Sequence, residues 1–468
     1  MTRLRNILLT LAATILLLLS APACSSSGSS GSDIDSAALC RLPDTLRVAT
    51  LYGPTSYFSY RETQMGYDYD MISRFARDKG LALDLKLATN LTQAVEMLDS
   101  GLIDIIAYEV PVTSEYKEHV LPCGLENITY QVLVQPKAKA ADRITDVTEL
   151  VGREVYVEDN SKYLHRLRNL NDELGGGIEI RTVNRDTLIT EDLIEMVSDG
   201  EIPLTIVDSD IARINKTYYR DLDITLQVSF PQRSAWAVSP SRPWLADSVN
   251  LWSAQADPRH QRDILLKRYY EQSKLLADNP SFVADFSRGR MSAFDNLFRH
   301  HAKTLGWDWR LLASVGYTES RFNPEVVSWA GARGVMQLMP ATAAAFGLDS
   351  LSITNNDDNI GAAVKVLRSL DNSLKNQVPD PDERRKFVLA AYNSGLAHIL
   401  DAIALARKYG YDPQRWFGQV EQALLLKSNA HYYNDPVCRH GYFHGRQTFE
   451  YVHSVIECFE KAQKQIPS

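Results

Sequence analysis

The stretch that decides the fold is ASVGYTESRFNPEVVSWAGARGVMQLMP, residues 313–340. It begins in an apolar segment whose last turn carries one carboxylate, Glu319. Pro324 disfavours helix in the residue before it and predicts a turn there. Gly331 and Gly334 then bracket a tight loop that leads to a methionine, a glutamine and a proline. An acid at the end of a buried helix, facing a glycine-rich loop with an amide side chain, suits chemistry on a glycosidic bond.

Three short motifs in this part of the chain occur in the same order as in a known family. They are Glu319-Ser320, the GxMQxxP pattern from Gly334 to Pro340, and AYNSG at residues 391–395. Each motif alone is a weak signal, but their order and spacing together resemble the catalytic domain of the soluble lytic transglycosylases. The resemblance implies a lysozyme-like, nearly all-helical domain around a saccharide groove.

The resemblance implies a single catalytic acid, Glu319. Burial against aromatic neighbours, here Tyr317 and Phe322, raises the pKa of a glutamate by disfavouring its charged form. Glu319 would protonate the oxygen between N-acetylmuramic acid and N-acetylglucosamine, while the substrate's own N-acetyl carbonyl stabilises C1. Glu319 would then deprotonate the muramic O6, which closes a 1,6-anhydro ring without water. Most two-carboxylate glycosidases use a second acid about 5–9.5 Å away; Glu325 and Asp349 are candidates by proximity in sequence only.

The same resemblance assigns six further residues to the substrate: Ser320, Met336, Gln337, Tyr392, Asn393 and Tyr451. The serine and the glutamine would hydrogen-bond the sugars, and the methionine would form part of an apolar groove floor. Tyr392 and Asn393 would orient Glu319 or contact the substrate, and Tyr451 would cap the site. Met336 and Asn393 have an alternative role, because both motifs also fix loops.

The N-terminus predicts an exported lipoprotein. Arg3 and Arg5 precede an apolar run and a small-residue end, SAPAC, which is the order of a signal peptide over residues 1–23. Its end resembles a lipobox with Cys24 as the acylated residue, although Ala21 departs from the preferred leucine. The alternative is ordinary cleavage near Ala23. Residues 24–43 then read as a Ser/Gly-rich tether, and a serine after Cys24 resembles outer-membrane sorting.

Residues 44–257 alternate short apolar strands with helical segments, and this order occurs twice in tandem. Such alternation predicts parallel α/β layers in two lobes. The segments GYDYDM, LDSGLIDIIA and DLIEMVSDGEIPLTIVDSD resemble the periplasmic solute-binding family that serves polar amino acids. The predicted fold class is therefore a two-lobed, periplasmic-binding-protein-like α/β domain followed by an all-α, lysozyme-like domain.

The ligand of the first domain is left open by the sequence. In the resembling family an arginine grips the ligand's carboxylate and an acid takes its ammonium group. Here the matching segment reads TSEY, residues 113–116, with Tyr116 in place of the arginine. Asp208 or Asp210 would take an ammonium group, unless it serves a helix start. Aromatic residues that include Tyr67 and Tyr116 suit a peptide or muropeptide ligand, unless they are packing groups.

The remaining boundaries and partners follow from composition. Residues 258–291 read as a helical linker and residues 292–468 as the catalytic domain. A net charge of −8 and the lack of a basic stretch argue against nucleic acid, and neither a cofactor nor a metal is expected. Of the five cysteines, the sequence favours the pairs Cys438 with Cys458 and Cys40 with Cys123 in an oxidising compartment.

Taken together, the sequence predicts a peptidoglycan lytic transglycosylase on the periplasmic side of the outer membrane, held by a lipid anchor. Its first domain would bind a regulatory ligand. Two alternatives stay open at this point: a muramidase that hydrolyses the same bond, and a cell-wall sensor whose second domain binds glycan without cleaving it. An intact Glu319 with all three motifs argues against the sensor.

Overall fold

Two α/β lobes, each built on a five-stranded sheet, form the N-terminal part. The computed structural model describes residues 42–112, 116–137, 143–159, 161–183, 190–272 and 289–467. The predicted signal peptide, most of the tether and Cys24 lie outside the described residues. The strands in chain order are β1 Thr45–Leu51, β2 Phe58–Tyr60, β3 Thr63–Met65, β4 Ala82–Ala88, β5 Ile105–Pro111, β6 Leu121–Thr129, β7 Gln131–Pro136, β8 Glu154–Glu158, β9 Glu179–Val183, β10 Thr205–Asp208, β11 Leu222–Asp223 and β12 Gln232–Val238.

The sheets confirm the predicted fold class. Lobe 1 has the order β4-β1-β5-β12-β6, and lobe 2 has the order β11-β7-β10-β8-β9. In lobe 1 the strand β1 is parallel to β4 and β5, because helices connect these strands. The chain crosses to lobe 2 between β6 and β7 and returns to lobe 1 with β12, which pairs antiparallel with β5 and β6. Two adjacent crossings therefore join the lobes.

Seven helices cover the faces of these sheets within the described residues. They are α1 Tyr67–Lys79, α2 Leu91–Asp99, α3 Lys162–Glu173, α4 Thr190–Ser198, α5 Ser209–Lys216, α6 Pro243–Ser253 and α7 Ala256–Leu266. Their ends carry the expected signals: the Asn90 side chain accepts from the Gln93 N–H at the start of α2, and Gly80 ends α1 in the left-handed conformation. A π-helical turn, Lys267–Glu271, follows α7.

A two-stranded hairpin, β2 with β3, projects from lobe 1. Tyr60 pairs with Thr63, so only Arg61 and Glu62 form the turn. Both have positive φ angles, 48° and 62°. Such a turn matches the twist of a hairpin but is normally built from glycine or asparagine, because a side chain in this region costs about 1–2 kcal/mol. Strain at two non-glycine residues indicates that the turn is held by its surroundings.

The C-terminal part consists almost entirely of helices. They are α8 Asp295–Leu305, α9 Trp309–Ser320, α10 Pro340–Ala345, α11 Asn356–Leu374, α12 Pro381–Ser394, α13 Leu396–Tyr409, α14 Glu421–Leu425, α15 Ala430–Tyr433 and α16 Arg446–Gln465. The helix α9 is buried nearly all round and packs against α8 and α16. Pro340 is the first residue of α10, as predicted. No helix of the described residues is long and apolar enough to cross a membrane.

The predicted disulfides are wrong where the structure describes both partners. Cys438 and Cys458 are free thiols. Cys458 lies on α16 beside Ser314, whereas Cys438 lies in a loop near Lys427, so the two thiols have different neighbours. Cys123 is also free and is buried in lobe 1. Its predicted partner, Cys40, lies outside the described residues.

Candidate functional site

Glu319 lies in the last turn of α9 and is 5% exposed. The helix ends because Arg321 and Phe322 both adopt positive φ angles, 55° and 63°. The end therefore comes before the asparagine-proline pair that was expected to force it. The carboxylate is thus fixed at the junction between a buried helix and the loop that follows.

The glycine-rich loop is held against this helix end by buried hydrogen bonds. The hydroxyl of Ser320 donates to the Val335 carbonyl at 2.8 Å, and the Met336 N–H donates to Asn359 Oδ1 at 2.8 Å. At Gly334, φ is 79° and an added Cβ would come within 2.3 Å of Asn359. Only glycine fits there, which explains why the GxMQxxP motif begins with a glycine.

Most of the predicted substrate residues surround Glu319, but the protein itself uses many of their polar groups. The hydroxyl of Tyr392 donates to the Met336 carbonyl at 2.7 Å, and Asn393 Oδ1 accepts from Thr448 at 2.7 Å. The Gln337 amide donates to two backbone carbonyls, while its Oε1 has no hydrogen-bond partner among the described residues. Met336 is fully buried rather than exposed on a groove floor.

A residue that the sequence analysis missed occupies the site: Arg61, from the hairpin turn of lobe 1. Its Nη2 donates to both carboxylate oxygens of Glu319, at 3.0 and 3.1 Å. Its Nη1 donates to the Gln337 carbonyl at 2.7 Å, and its Nε to the Asn393 carbonyl at 3.0 Å. The backbone N–H donates to the Ser394 carbonyl at 3.1 Å. Charge-assisted bonds of this kind are the strong ones, so the hairpin is firmly seated.

The hairpin turn also contacts the residues around Glu319 by packing. The guanidinium carbon of Arg61 lies 5.8 Å from the centre of the Tyr392 ring. A Cβ added at Gly395 would come within 3.4 Å of the Arg61 Cα, which allows the hairpin to approach α12 closely. Beside Arg61 a groove of about 160 Å³ is lined by Met339, Phe346 and other residues. Arg61 and Glu62 of the hairpin turn thus form part of the wall of this groove, together with Gln337 and Tyr392.

Opposing influences act on the Glu319 carboxyl. Burial is the largest and raises the pKa of Glu319 above its ordinary value, whereas the charge of Arg61 and the phenol of Tyr451 lower it. The net direction is upward even with Arg61 in place. No other carboxyl group of the described residues is among these influences, and both Glu325 and Asp349 are exposed. The site thus holds one acid with a raised pKa.

A second cavity, of about 640 Å³, lies between the two lobes. Asp208 lines it, as predicted for the ligand cleft, and is paired with Lys162. Tyr67 and Tyr116 do not line it: Tyr67 belongs to a smaller neighbouring pocket and Tyr116 packs against the core of lobe 1. A contact of either tyrosine with a ligand therefore stays a prediction. The rest of the TSEY segment, residues 113–115, lies outside the described residues.

This cleft also contains residues that the sequence analysis missed. Tyr433 and Tyr442 belong to the helical C-terminal part, called the catalytic part below, and line the cavity together with Glu109 and Glu191. The acids were not recognised because neither lies in a motif. The contact of the catalytic part with the cleft was unpredictable, because no sequence pattern records which surfaces of two domains meet.

Two family models match the chain. Residues 296–414 match the transglycosylase SLT domain, and residues 46–272 match the bacterial extracellular solute-binding proteins, family 3. The membrane-bound lytic murein transglycosylase F of Pseudomonas fluorescens Pf-5 is 30% identical over 89% of this chain and 84% of its own length. The protein of the same name from P. fluorescens Pf0-1 is 29% identical over the same shares. The Lactococcus lactis GlnP substrate-binding domain 2 is 16% identical, covers 48% of this chain and 96% of its own, and has a TM-score of 0.41.

The two matched domains and the buried acid define a peptidoglycan lytic transglycosylase that carries an N-terminal solute-binding domain. More narrowly, the chain belongs to the family of membrane-bound lytic murein transglycosylase F.

Proposed function

We propose that Glu319 is both the acid and the base of a non-hydrolytic cleavage between N-acetylmuramic acid and N-acetylglucosamine. Its proton passes to the glycosidic oxygen as the C1–O bond breaks, and the neighbouring N-acetyl oxygen bonds to C1. The Glu319 carboxylate then accepts the proton of the muramic O6, which attacks C1 and displaces the acetamido oxygen. The product is a 1,6-anhydromuropeptide. The observation that carries this proposal is a lone buried acid whose pKa is raised.

Around this acid, Tyr451 and Gln337 are the groups best placed to meet the substrate. Gln337 Oε1 is buried and has no hydrogen-bond partner among the described residues, and the buried Tyr451 hydroxyl lies within hydrogen-bonding reach of the Glu319 carboxylate. Ser320, Met336, Tyr392 and Asn393 act on the substrate mainly by fixing the backbone around Glu319. Their direct contacts with sugar stay predictions, because their polar groups already bond to the protein.

The first domain, with proposed bounds 44–257, regulates this reaction. A glycan chain cannot reach Glu319 while Arg61 holds its carboxylate. Residues 52–56 line the cavity between the lobes, and the hairpin begins two positions later. A ligand that moves this segment therefore withdraws Arg61. A peptide-bearing fragment of the cell wall is our candidate for that ligand, which would couple cleavage to its own products.

The proposed arrangement in the cell is a lipoprotein at the periplasmic face of the outer membrane. The signal-peptide order of residues 1–23, the lipobox-like end at Cys24 and the Ser/Gly-rich composition of the segment up to residue 43 support it. The proposed linker over residues 258–291, of which 273–288 lie outside the described residues, joins the proposed catalytic domain, residues 292–468. Replacing Cys24 by alanine is expected to move the protein from the membrane to the soluble periplasmic fraction, as followed by cell fractionation.

The decisive experiment is mass spectrometry of purified peptidoglycan digested by the protein lacking residues 1–24. We compare it with Glu319→Gln and with the matched control Glu325→Gln, an exposed acid in the next loop. Anhydromuropeptides are expected from the unmutated form and from the control, and none from Glu319→Gln. Products with one added water and a reducible end would instead identify a muramidase. If even the Arg61→Ala variant gives no product, the result would favour the alternative of a cell-wall sensor that binds glycan without cleaving it.

A further inference from the structure

Carboxyl groups outnumber basic groups in the lining of the cavity between the lobes. Six carboxyl groups line it: Asp68, Glu109, Glu158, Glu191, Asp208 and Asp210. Against them stand two cations, Lys162 and Arg233, and each already pairs with a carboxylate, Asp208 and Glu126 respectively. Among the described residues, no lysine or arginine of the lining is therefore uncommitted and able to hold a ligand's carboxylate.

Two of these acids meet across the lobes. Glu109 lies on β5 of lobe 1, and Asp210 lies in the first turn of α5 in lobe 2. Their carboxyl groups are in hydrogen-bonding contact, which requires a shared proton because two adjacent carboxylates repel each other. Glu109 also accepts a hydrogen bond from the Asn127 amide at 2.5 Å, and Asp210 Oδ1 accepts from the Ile211 N–H at 2.8 Å, so both carboxyl groups are held in place by neutral donors. A cation placed between them would replace that proton and join the lobes.

A second observation points to a ligand at the same place. Ser234, 7% exposed, and Tyr442, 4% exposed, are among the residues that line the cavity, and their buried hydroxyl groups have no hydrogen-bond partner among the described residues. Buried polar groups of this kind are normally satisfied. Aromatic rings of Tyr52, Tyr108 and Tyr433 also line the cavity, and such faces attract cations. The lining thus offers carboxylates, hydroxyls and aromatic rings together.

The placement of the acids favours an extended organic cation over a metal ion. They are distributed around a cavity of about 640 Å³ and do not converge on one point. No group of three or more potential metal ligands was found in the described ranges. Several ammonium groups spaced along one molecule would match several separated carboxylates, because each ammonium donates up to three hydrogen bonds.

We propose that the cleft binds a linear solute whose ammonium groups outnumber its carboxylates, with one ammonium group bridging Glu109 and Asp210. This rests on the proposed function only in that the first domain binds a ligand. Among wall-derived peptides, it selects those that carry free amino groups in excess. Bridging the two lobes through one cation also gives the ligand a direct means of changing the angle between them.

The test is isothermal titration calorimetry on the full chain in detergent. The probes are 1,4-diaminobutane, the dipeptide Lys-Lys, the anionic dipeptide Ala-Glu and calcium chloride. We expect one or both cationic probes to bind; the diamine alone would identify a small amine, and Lys-Lys alone a basic peptide. Glu109→Gln and Asp210→Asn should each weaken this binding about tenfold to a hundredfold. The control Glu179→Gln removes an exposed acid of lobe 2 and should leave it unchanged.

A second readout does not depend on any variant. Because a bound ammonium group replaces the shared proton, binding should release protons, seen as a heat that changes with the ionisation enthalpy of the buffer. The proposal is overturned if Ala-Glu binds as tightly as Lys-Lys, if only calcium binds, if no probe binds, or if neither acid variant weakens binding. Calorimetry reports binding whether or not glycan is cleaved, so failure here is distinct from failure of the proposed reaction.

Discussion

At the scale of single residues, Arg61 pairs with Glu319, so the proposed catalytic acid is in place but its carboxylate is occupied. The two side chains are buried, 10% and 5% exposed. Removing one partner of a buried ion pair leaves the other charge uncompensated. Release of the hairpin must therefore favour the protonated, neutral Glu319, which is the form that the proposed reaction requires. Withdrawal of the arginine would open the groove and prepare the acid in one step.

Replacement of Arg61 by alanine is predicted to raise the activity of the ligand-free enzyme. If the open state is a few kcal/mol above the closed one, it is populated at about 0.1–10%, so the gain should be about tenfold or more. Release of anhydromuropeptides from purified peptidoglycan measures it. The control Arg77→Ala removes an exposed arginine of the same lobe and should not change the rate. Equal or lower activity of Arg61→Ala would argue that the hairpin does not inhibit.

Asp68 gives a pH-dependent prediction at the same scale. Burial raises its pKa to about 7, although the Trp236 indole N–H lowers it. The folded state therefore favours the protonated form, and its stability falls as pH rises from about 4 to 7 and then levels off. Asp68→Asn should gain stability relative to the unmutated protein across that window, measured as the difference between their urea midpoints. A difference that is constant with pH would contradict the assignment.

At the scale of elements, the local motifs could be predicted and the long-range contacts could not. The helix that carries Glu319 follows from its apolar residues, and it ends at Ser320, so Glu319 lies in its last turn as the sequence predicted. Gly334 could be located because one tight turn needs it. Nothing near Arg61 indicates its role, because its partner is 258 positions away. The pairing of Glu109 with Asp210 is hidden for the same reason.

The hairpin turn supplies a prediction about an element. Glu62 is not glycine and has a φ of 62°. Glu62→Gly should therefore stabilise the seated hairpin by about 1 kcal/mol, because glycine adopts this conformation without steric cost. We expect a higher thermal midpoint and a lower ligand-free activity. The control is the same substitution made in the Arg61→Ala variant. If Glu62→Gly lowers the activity of that variant as well, its effect does not act through the arginine.

At the scale of the whole molecule, the catalytic part is attached to both lobes. It contacts lobe 1 through the His398 ring, which bonds to the Ser59 carbonyl at 2.8 Å, and through the hairpin itself. It contacts lobe 2 through Arg446, which pairs with Glu195, and through the His444 ring stacked on Tyr218 at 4.6 Å. A change in the angle between the lobes cannot preserve both sets of contacts. A ligand that changes the angle between the lobes would thus disturb the contact of Arg61 with Glu319.

Gly441 allows this linkage to be tested without touching the catalytic groove, the ligand acids or the hairpin. A Cβ added there would lie 2.1 Å from the ring of Tyr52, so in Gly441→Ala either this ring shifts or the C-terminal part moves away from lobe 1, and both disturb the contact. We expect it to raise ligand-free release of anhydromuropeptides. Gly306→Ala is the matched control: that glycine also has a positive φ, 71°, but its added Cβ would meet nothing within 4 Å. Both variants share the backbone strain, and only the first disturbs the contact between the domains. Equal activity of the two would mean that the contact at Tyr52 does not help to hold Arg61 on Glu319.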